Sequence, residues 1–223
     1  MSGGLFTAFL ASLLPGLFWL WYFRRYDVGD REPAGTLIRC LVAGALAVLP
    51  ALAWEAPFRD QLQSSNSLSV QLALSFLVVG LGEELFKLLA VYLAIGRSRE
   101  FSEPMDGILY AIAGSIGFAV VENMLYISAF GLVAAPLRGT AAVLAHIAFS
   151  GLAGYYLGRA RFGAKPMPTM AVGLAVAAAA HGLYDFLLIS PLVSPFVVLL
   201  LIAALQYALF AAISRAAKLP GDR

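Results

Sequence analysis

The sequence predicts an all-α, polytopic membrane protein with about seven transmembrane helices. Hydrophobic residues make up 61% of its 223 residues, charged residues make up only 13%, and the mean hydropathy is +0.85. A soluble domain usually carries about 25% charged residues. The composition therefore excludes a soluble enzyme, a secreted disulfide scaffold and a disordered chain. The net charge of +2 and the lack of a basic stripe give no reason to expect a nucleic-acid partner.

Seven apolar stretches are each long enough to cross a bilayer, which takes about 20 residues of helix. Segments that contain Pro, Gly, Ser or Asn separate them. No basic residue or clear cleavage site marks the first stretch as a signal peptide, so we expect a retained span. Without repeats or long linkers, residues 1–223 are expected to form one integral-membrane domain. The spans are Gly4–Phe23, Thr36–Trp54, Ser69–Gly96, Gly107–Phe130, Arg138–Ala160, Thr169–Ser190 and Pro195–Arg215.

The distribution of Lys and Arg predicts the orientation, because cytoplasmic loops are enriched in these residues. Of the fifteen, eleven lie on one side, Arg59 and Arg138 lie on the other, and Arg39 and Lys87 lie within spans. With seven spans, this bias places the N-terminus outside and the C-terminus in the cytoplasm. The eleven are Arg24, Arg25, Arg31, Arg97, Arg99, Arg159, Arg161, Lys165, Arg215, Lys218 and Arg223.

The ends of the spans agree with this orientation. Trp19 and Trp21 at the inner end of the first span, and Trp54 at the outer end of the second, suit the aromatic belts of membrane interfaces. The cytoplasmic loops Arg97–Asp106 and Arg159–Pro168 are short and charged. We expect these loops to be solvated turns without a catalytic role.

Spans three to six contain ionisable side chains, which cost about 2.5–3.5 kcal/mol each at the centre of a membrane helix. With a rise of about 1.5 Å per residue, groups from these four spans fall at similar depth, between the midplane and the outer surface. We therefore predict a shared polar cavity within residues 69–190, with the first, second and seventh spans as scaffold. The groups are Glu83, Glu84, Lys87, Glu122, His146, His181 and Asp185.

Structural roles compete with catalytic ones for several of these residues. Lys87 follows Glu83 by four residues and Glu84 by three, so a salt bridge can neutralise part of the third span. One lysine cannot neutralise both glutamates. Asp185 follows His181 by four residues and could orient the imidazole, as carboxylates do in many packed cores.

Carboxylates and imidazoles together can activate water for hydrolysis, since a carboxylate can accept a proton and return it to a leaving amine. A histidine, or the amide of Asn123, can donate to the developing oxyanion. Ser75 and Ser115 have no base nearby in the sequence, and the zinc-protease motif H-E-x-x-H is absent. Histidine and carboxylate are also good zinc ligands, so a metal-dependent mechanism stays open. Its ligands would be Glu83, Glu122, His146 and His181.

Two other classes are weaker alternatives. Intramembrane Glu, His and Asp also form proton relays in transporters. A proton-coupled transporter would tend to show a repeated half and a polar path to both membrane faces. We see no repeat, and the polar groups gather toward one face. A non-catalytic sensor or scaffold would explain none of the cost of burying these groups.

Four motifs follow one another, each on its own span: E-E-x-x-K at Glu83–Lys87, F-x-x-x-E-N at Phe118–Asn123, a lone His146, and H-x-x-x-D at His181–Asp185. Together they resemble the PrsW family of intramembrane proteases, within the wider group that includes the CAAX prenyl endopeptidases. The segment Asp30–Pro33 also resembles the acidic Glu-Pro segment that follows the first helix in that family. The resemblance covers residues 20 to 190, approximately.

The resemblance implies a site-1-type protease of the bacterial inner membrane that cuts membrane proteins near the outer surface. In the best-known relative, the substrate is an anti-sigma factor. Glu83 and Glu84 would carry the paired-glutamate motif, and Glu122 would stand where the prenyl endopeptidases have histidine. His181 would match their last histidine, with Asp185 in place of their usual asparagine. The family has been described both as metal-dependent and as glutamate-type.

We predict an intramembrane endopeptidase that acts on a membrane-protein substrate within the lipid bilayer. Glu83 is expected to be the general base on water, assisted by Glu122 or His146. His181 would polarise the carbonyl or protonate the leaving group, and Asp185 would orient it. A zinc-dependent version of this site is the first alternative, and the sequence does not predict an oligomeric state. The predicted site comprises Glu83, Glu84, Glu122, His146, His181 and Asp185, supported by Lys87 and Asn123.

Overall fold

The computed structural model describes residues 2–27, 31–95, 98–131, 138–190 and 193–219. In these ranges nearly every residue is helical and none forms a strand, which confirms the predicted all-α class. Two π-helical segments, Leu74–Gly80 and Arg138–Ala142, and two short 3₁₀ turns, Arg24–Tyr26 and Ala56–Phe58, interrupt the α-helices. The α-helices are α1 (Ser2–Phe23), α2 (Ala34–Glu55), α3 (Arg59–Ser64), α4 (Leu68–Ala73), α5 (Leu81–Ile95), α6 (Pro104–Phe130), α7 (Val143–Arg161), α8 (Pro166–Ile189) and α9 (Pro195–Ala216).

Within the described ranges, six helical stretches are long and apolar enough to cross a membrane. The chain is therefore a multi-pass integral membrane protein, as predicted. The six are Phe6–Tyr26, Ala34–Leu62, Pro104–Phe130, Gly139–Arg161, Pro166–Ile189 and Pro195–Ala216.

The predicted third span, Ser69–Gly96, is not among the six. Helical structure is continuous over residues 68–95, but the π-helical segment Leu74–Gly80 divides α4 from α5. Three charged side chains, Glu83, Glu84 and Lys87, then follow within two turns of α5. The stretch still exceeds the roughly 20 residues that a span requires. The count of seven spans, and the orientation that follows from it, stay predictions.

Helices α6 and α7 form the centre of the bundle. In their most apolar stretches, 78% of the residues of α6 and 83% of those of α7 are buried, against 28% for α9. Small residues let the two central helices approach closely, since a Cβ on Gly107 would lie 2.6 Å from the carbonyl oxygen of Gly154. Gly158, four residues after Gly154, faces α6 in the same way, since a Cβ there would clash with the carbonyl oxygen of Pro104. Helices α1, α2, α8 and α9 pack around this centre and expose apolar side chains outward.

The loop prediction for Arg97–Asp106 is wrong at its end. Helix α6 begins at Pro104, and Asp106 is fully buried. Its carboxylate accepts the backbone N–H of Ser102 at 2.9 Å and of Glu103 at 2.7 Å, which completes a capping box. The charge pattern suggested a solvated turn because it could not distinguish a cap from a surface carboxylate. In the same way, Arg159–Arg161 belongs to α7 and Pro166 already starts α8.

Glu32 is a second buried acid at this end of the bundle, just before α2. Its side chain is 1% exposed and accepts a hydrogen bond from the hydroxyl of Tyr110 on α6. Its backbone N–H donates to Asp27 Oδ2 at 2.8 Å, and its carbonyl accepts from the Arg24 guanidinium at 2.6 Å. Glu32 therefore ties the start of α2 to α1 and α6.

Candidate active site

Lys87 lies at the centre of the polar groups that the sequence placed on four helices. Its Nζ donates to Glu83 Oε2 at 3.0 Å, to Glu84 Oε1 at 2.8 Å and to His146 Nδ1 at 2.9 Å. The lysine is 1% exposed, and the Phe118 ring centroid lies 4.1 Å from Nζ. A single ammonium thus contacts both glutamates, although its one charge balances only one of them. All three of its N–H donors are used.

His146 joins α7 to α6. Its Nε2 lies 2.8 Å from Glu122 Oε2, so the two side chains meet across the bundle. Lysine can only donate, so Nδ1 of His146 accepts, and a neutral imidazole then carries its proton on Nε2. That N–H points at the Glu122 carboxylate.

His181 on α8 completes the group. Its Nδ1 lies 3.0 Å from Glu84 Oε1 and donates to that carboxylate. Its Nε2 faces Glu83 Oε2 at 3.7 Å and Asp185 Oδ2 at 3.4 Å. The ring of Phe149 stacks on the imidazole with centroids 4.8 Å apart. Of the three carboxylates around His181, Glu84 is the nearest, ahead of Asp185, which was predicted to orient the ring.

Three of these residues match the donor set of a metal site. Ligand atoms of Glu83, His146 and His181 lie within 4.8 Å of one another, and all three side chains are buried. Two imidazoles and one carboxylate form the His₂Glu set of several catalytic zinc sites. The residues present therefore fit a divalent metal. Glu122, the fourth predicted ligand, contacts His146 and lies outside this three-residue group.

Burial within the site is graded and shows where it opens. The side chains of Glu84 and Lys87 are 1% exposed, whereas those of Glu122 and Asp185 are 17% and 24% exposed. Asn123, predicted as a supporting residue, is fully buried next to Glu122. The pocket is therefore closed at Glu84 and open at Glu122 and Asp185, toward the face predicted to be outer.

Helix α2 reaches the site, so describing the second span as scaffold alone was incomplete. Trp54 Nε1 donates to the carbonyl oxygen of Val78 at 3.1 Å, inside the π-helical segment that precedes Glu83. Its indole also covers Gly82, where a Cβ would lie 2.7 Å from Nε1. π-Helical turns occur frequently at functional sites. Helix α2 therefore contacts the segment that leads directly into Glu83.

Two further residues belong to the site and were not predicted. Ser150 on α7 donates its hydroxyl to Glu84 Oε2 at 2.8 Å. Glu55, the last residue of α2, lies near enough to Glu83 and Asp185 to interact with their charges. Ser150 follows His146 by four residues, a spacing that places both on one helix face and could have identified it. Glu55 lies just after the predicted second span, which ended at Trp54, so it was not considered among the buried groups.

The comparisons with known proteins agree with the resemblance. Residues 32–213 match the family described as PrsW family intramembrane metalloprotease. Protease PrsW of Geobacillus kaustophilus is 33% identical over 187 residues, which cover 83% of this chain and 81% of the relative. Protease PrsW of Bacillus subtilis is 32% identical over 186 residues, with 82% and 84% covered. That of Clostridioides difficile is 30% identical over 191 residues, with 81% and 78% covered. No solved structure gives a significant match.

Proposed function

The chain belongs to the PrsW family of intramembrane proteases, and we propose that its pocket hydrolyses peptide bonds of membrane proteins near the outer membrane surface. It is thus a peptidase that acts within a lipid bilayer. The observation that carries the proposed site is the meeting of Glu83, His146 and His181, from three helices, in one buried cluster. Ionisable side chains are expensive to bury in a membrane, so a cluster of them indicates a functional site.

We assign Glu83 the role of general base. Its Oε2 faces the pocket, 3.0 Å from Lys87 Nζ and 3.7 Å from His181 Nε2. Glu83 would take a proton from the attacking water and return it to the leaving amine. The Lys87 ammonium holds the carboxylate in place during this transfer.

The two histidines would stabilise the tetrahedral intermediate. The Nε2–H of His146, which points at Glu122 at the open side of the pocket, would donate to the oxyanion in place of the Glu122 carboxylate. His181 is held through Nδ1 by Glu84, which leaves Nε2 facing the reacting groups. Asp185 Oδ2 lies 3.4 Å from this Nε2, from which a protonated imidazole would donate to the carbonyl or the leaving group.

A metal-dependent version of the same site is the second candidate, and the donor set favours it. Glu83, His146 and His181 would hold the ion, with zinc the metal that best matches these ligands. When bound, such an ion acidifies a coordinated water and polarises the scissile carbonyl. Glu83 would then serve as a ligand, and Glu122, which contacts His146 at the pocket opening, would be the carboxylate beside that site.

The substrate that we propose is a single-pass membrane protein, because the pocket opens at Glu122 and Asp185 on the face predicted to be outer. An anti-sigma factor is the candidate that the family resemblance suggests. The relatives are bacterial, which supports the bacterial cell membrane as the location.

Glu83→Gln tests the proposed site. The variant should fail to cleave a single-pass reporter in membranes while keeping its expression and thermal unfolding temperature. Glu100→Gln, on an exposed loop, is the matched control and should cleave fully. Full cleavage by Glu83→Gln would remove Glu83 from the mechanism.

The metal content of the same purified proteins separates the two candidates. If Glu83 is a ligand, the wild type carries a stoichiometric metal that Glu83→Gln loses, and chelation inactivates the wild type. If the wild type is active without metal and resists chelators, the metal-dependent mechanism is excluded and the glutamate mechanism remains.

A further inference from the structure

Ser150 lies beneath the catalytic cluster and takes no part in the mechanism above. It is buried in α7, 3% exposed, one turn after His146. Its hydroxyl donates to Glu84 Oε2 at 2.8 Å. The preceding residue, Phe149, stacks on the ring of His181. One short stretch of α7 therefore contacts both partners of the Glu84–His181 hydrogen bond.

The two oxygens of Glu84 have different partners. Oε1 accepts from Lys87 Nζ at 2.8 Å and from His181 Nδ1 at 3.0 Å. Oε2 accepts from Ser150. Among the described residues, no other hydrogen bond to Oε2 is found. Since the terminal torsion of a glutamate is soft, the hydroxyl decides how the carboxylate is rotated.

We propose that Ser150 is a positioning residue of this active site: it fixes the rotation of the Glu84 carboxylate, and through Glu84 the orientation of the His181 imidazole. This inference rests on the proposed function. Ser150 itself touches no reacting atom. Partners that orient an active-site histidine in this way are typically worth about 10- to 100-fold in metal affinity or activity.

The space beside Ser150 makes the role testable without disturbing the fold. A cavity of about 10 Å³, room for one water, is lined by Ser150, Glu84, Lys87, Ala111 and Ala153, among others. Ser150→Ala removes the hydroxyl that donates to Oε2 and enlarges this cavity, so a water could take its place while the carboxylate loses its fixed donor. In Ser150→Thr, the hydroxyl is kept and the added methyl has the cavity beside it.

The experiment compares three serine variants of the full-length enzyme with the single-pass reporter. Ser150→Ala should lower kcat about 10- to 100-fold with KM nearly unchanged. Ser150→Thr should recover most of the lost kcat. The matched control is Ser115→Ala, since Ser115 is also buried, in α6, and its hydroxyl donates to the carbonyl oxygen of Ile112 in the same helix, at 2.9 Å. This control should keep kcat.

Several results would overturn the positioning role. The role is excluded if Ser150→Ala keeps the wild-type kcat. It is also excluded if Ser150→Ala and Ser115→Ala lose kcat equally. A folded Ser150→Thr variant that cleaves as slowly as Ser150→Ala would likewise exclude it. If Glu83→Gln is inactive while Ser150→Ala is fully active, only the Ser150 inference fails. If Glu83→Gln cleaves normally, Glu83 leaves the mechanism, and if the wild type does not cleave the reporter at all, the proposed function itself fails.

Discussion

Lys87 Nζ donates to His146 Nδ1 at 2.9 Å, which joins two motifs that lie 59 residues apart. The same ammonium bridges Glu83 and Glu84, so a buried cation holds the paired glutamates against the histidine of α7. Because lysine is only a donor, it also sets the tautomer of His146 and directs the proton on Nε2 at Glu122. The lysine of the E-E-x-x-K motif therefore does more than neutralise a charge.

Lys87→Met should therefore destabilise the protein and stop cleavage. Removing one partner of a buried ion pair leaves an uncompensated charge and costs about 3–5 kcal/mol. The thermal unfolding temperature in detergent and reporter cleavage would both be measured. The double variant Lys87→Met/Glu84→Gln is the control, since it removes one of the stranded charges and should recover stability but no activity. Unchanged stability of Lys87→Met would contradict the compensating role.

Gly107→Ala should weaken the contact between the two central helices. Its Cβ would lie 2.6 Å from both the Gly154 carbonyl oxygen and the Gly158 backbone nitrogen, so the backbones must separate. Overpacking of this kind costs about 1–3 kcal/mol. Gly35→Ala is the control, because nothing lies within 4 Å of a Cβ there. The thermal unfolding temperature should fall in Gly107→Ala and not in Gly35→Ala. An equal fall in both variants would show that the contact between α6 and α7 has room for a methyl group.

Glu32 should make the stability depend on pH. Burial raises the pKa of its carboxyl from 4.5 to about 8, the charges of Asp106 and Asp27 act in the same direction, and the Tyr110 hydrogen bond opposes them. Because the folded state favours the protonated acid, the stabilisation is complete below pH 4.5, declines as the pH rises, and is lost above about pH 8. Thermal unfolding between pH 5 and pH 9 should show this decline in the wild type and a flatter profile in Glu32→Gln. A wild type that gains stability over this range relative to Glu32→Gln would contradict the raised pKa.

The sequence could predict how far along its helix each polar side chain lies, but not which way that side chain points around the helix. Counting residues from the ends of the spans placed Glu83, Glu122, His146 and His181 in one layer, and these side chains do lie close together. Which neighbour each side chain meets depends on the rotation of each helix, which apolar composition leaves undetermined. For this reason Asp185 was expected to be the partner that orients His181, although Glu84 lies closer.

The residues that were missed have a different physical explanation. A buried serine has little desolvation cost, so Ser150 stands out far less than a glutamate in an apolar helix. The π-helical segment Leu74–Gly80 leaves no mark on composition, because its cause is tertiary. Gly80 packs against α8, where a Cβ would lie 2.6 Å from the Ala178 carbonyl oxygen, and Trp54 binds Val78 from α2.

Trp54→Phe tests whether that segment positions Glu83. Phenylalanine keeps an aromatic ring over Gly82 but cannot donate to the Val78 carbonyl, and a buried carbonyl left without its partner costs about 1–3 kcal/mol. We expect reporter cleavage to fall several-fold, through kcat, with a small drop in the thermal unfolding temperature. Trp21→Phe on α1 makes the same replacement away from the pocket and should leave kcat unchanged. If Trp54→Phe lowers only stability, the indole supports the fold without aiming Glu83; if kcat falls while the protein stays folded, the hydrogen bond from α2 sets the geometry of the catalytic glutamate.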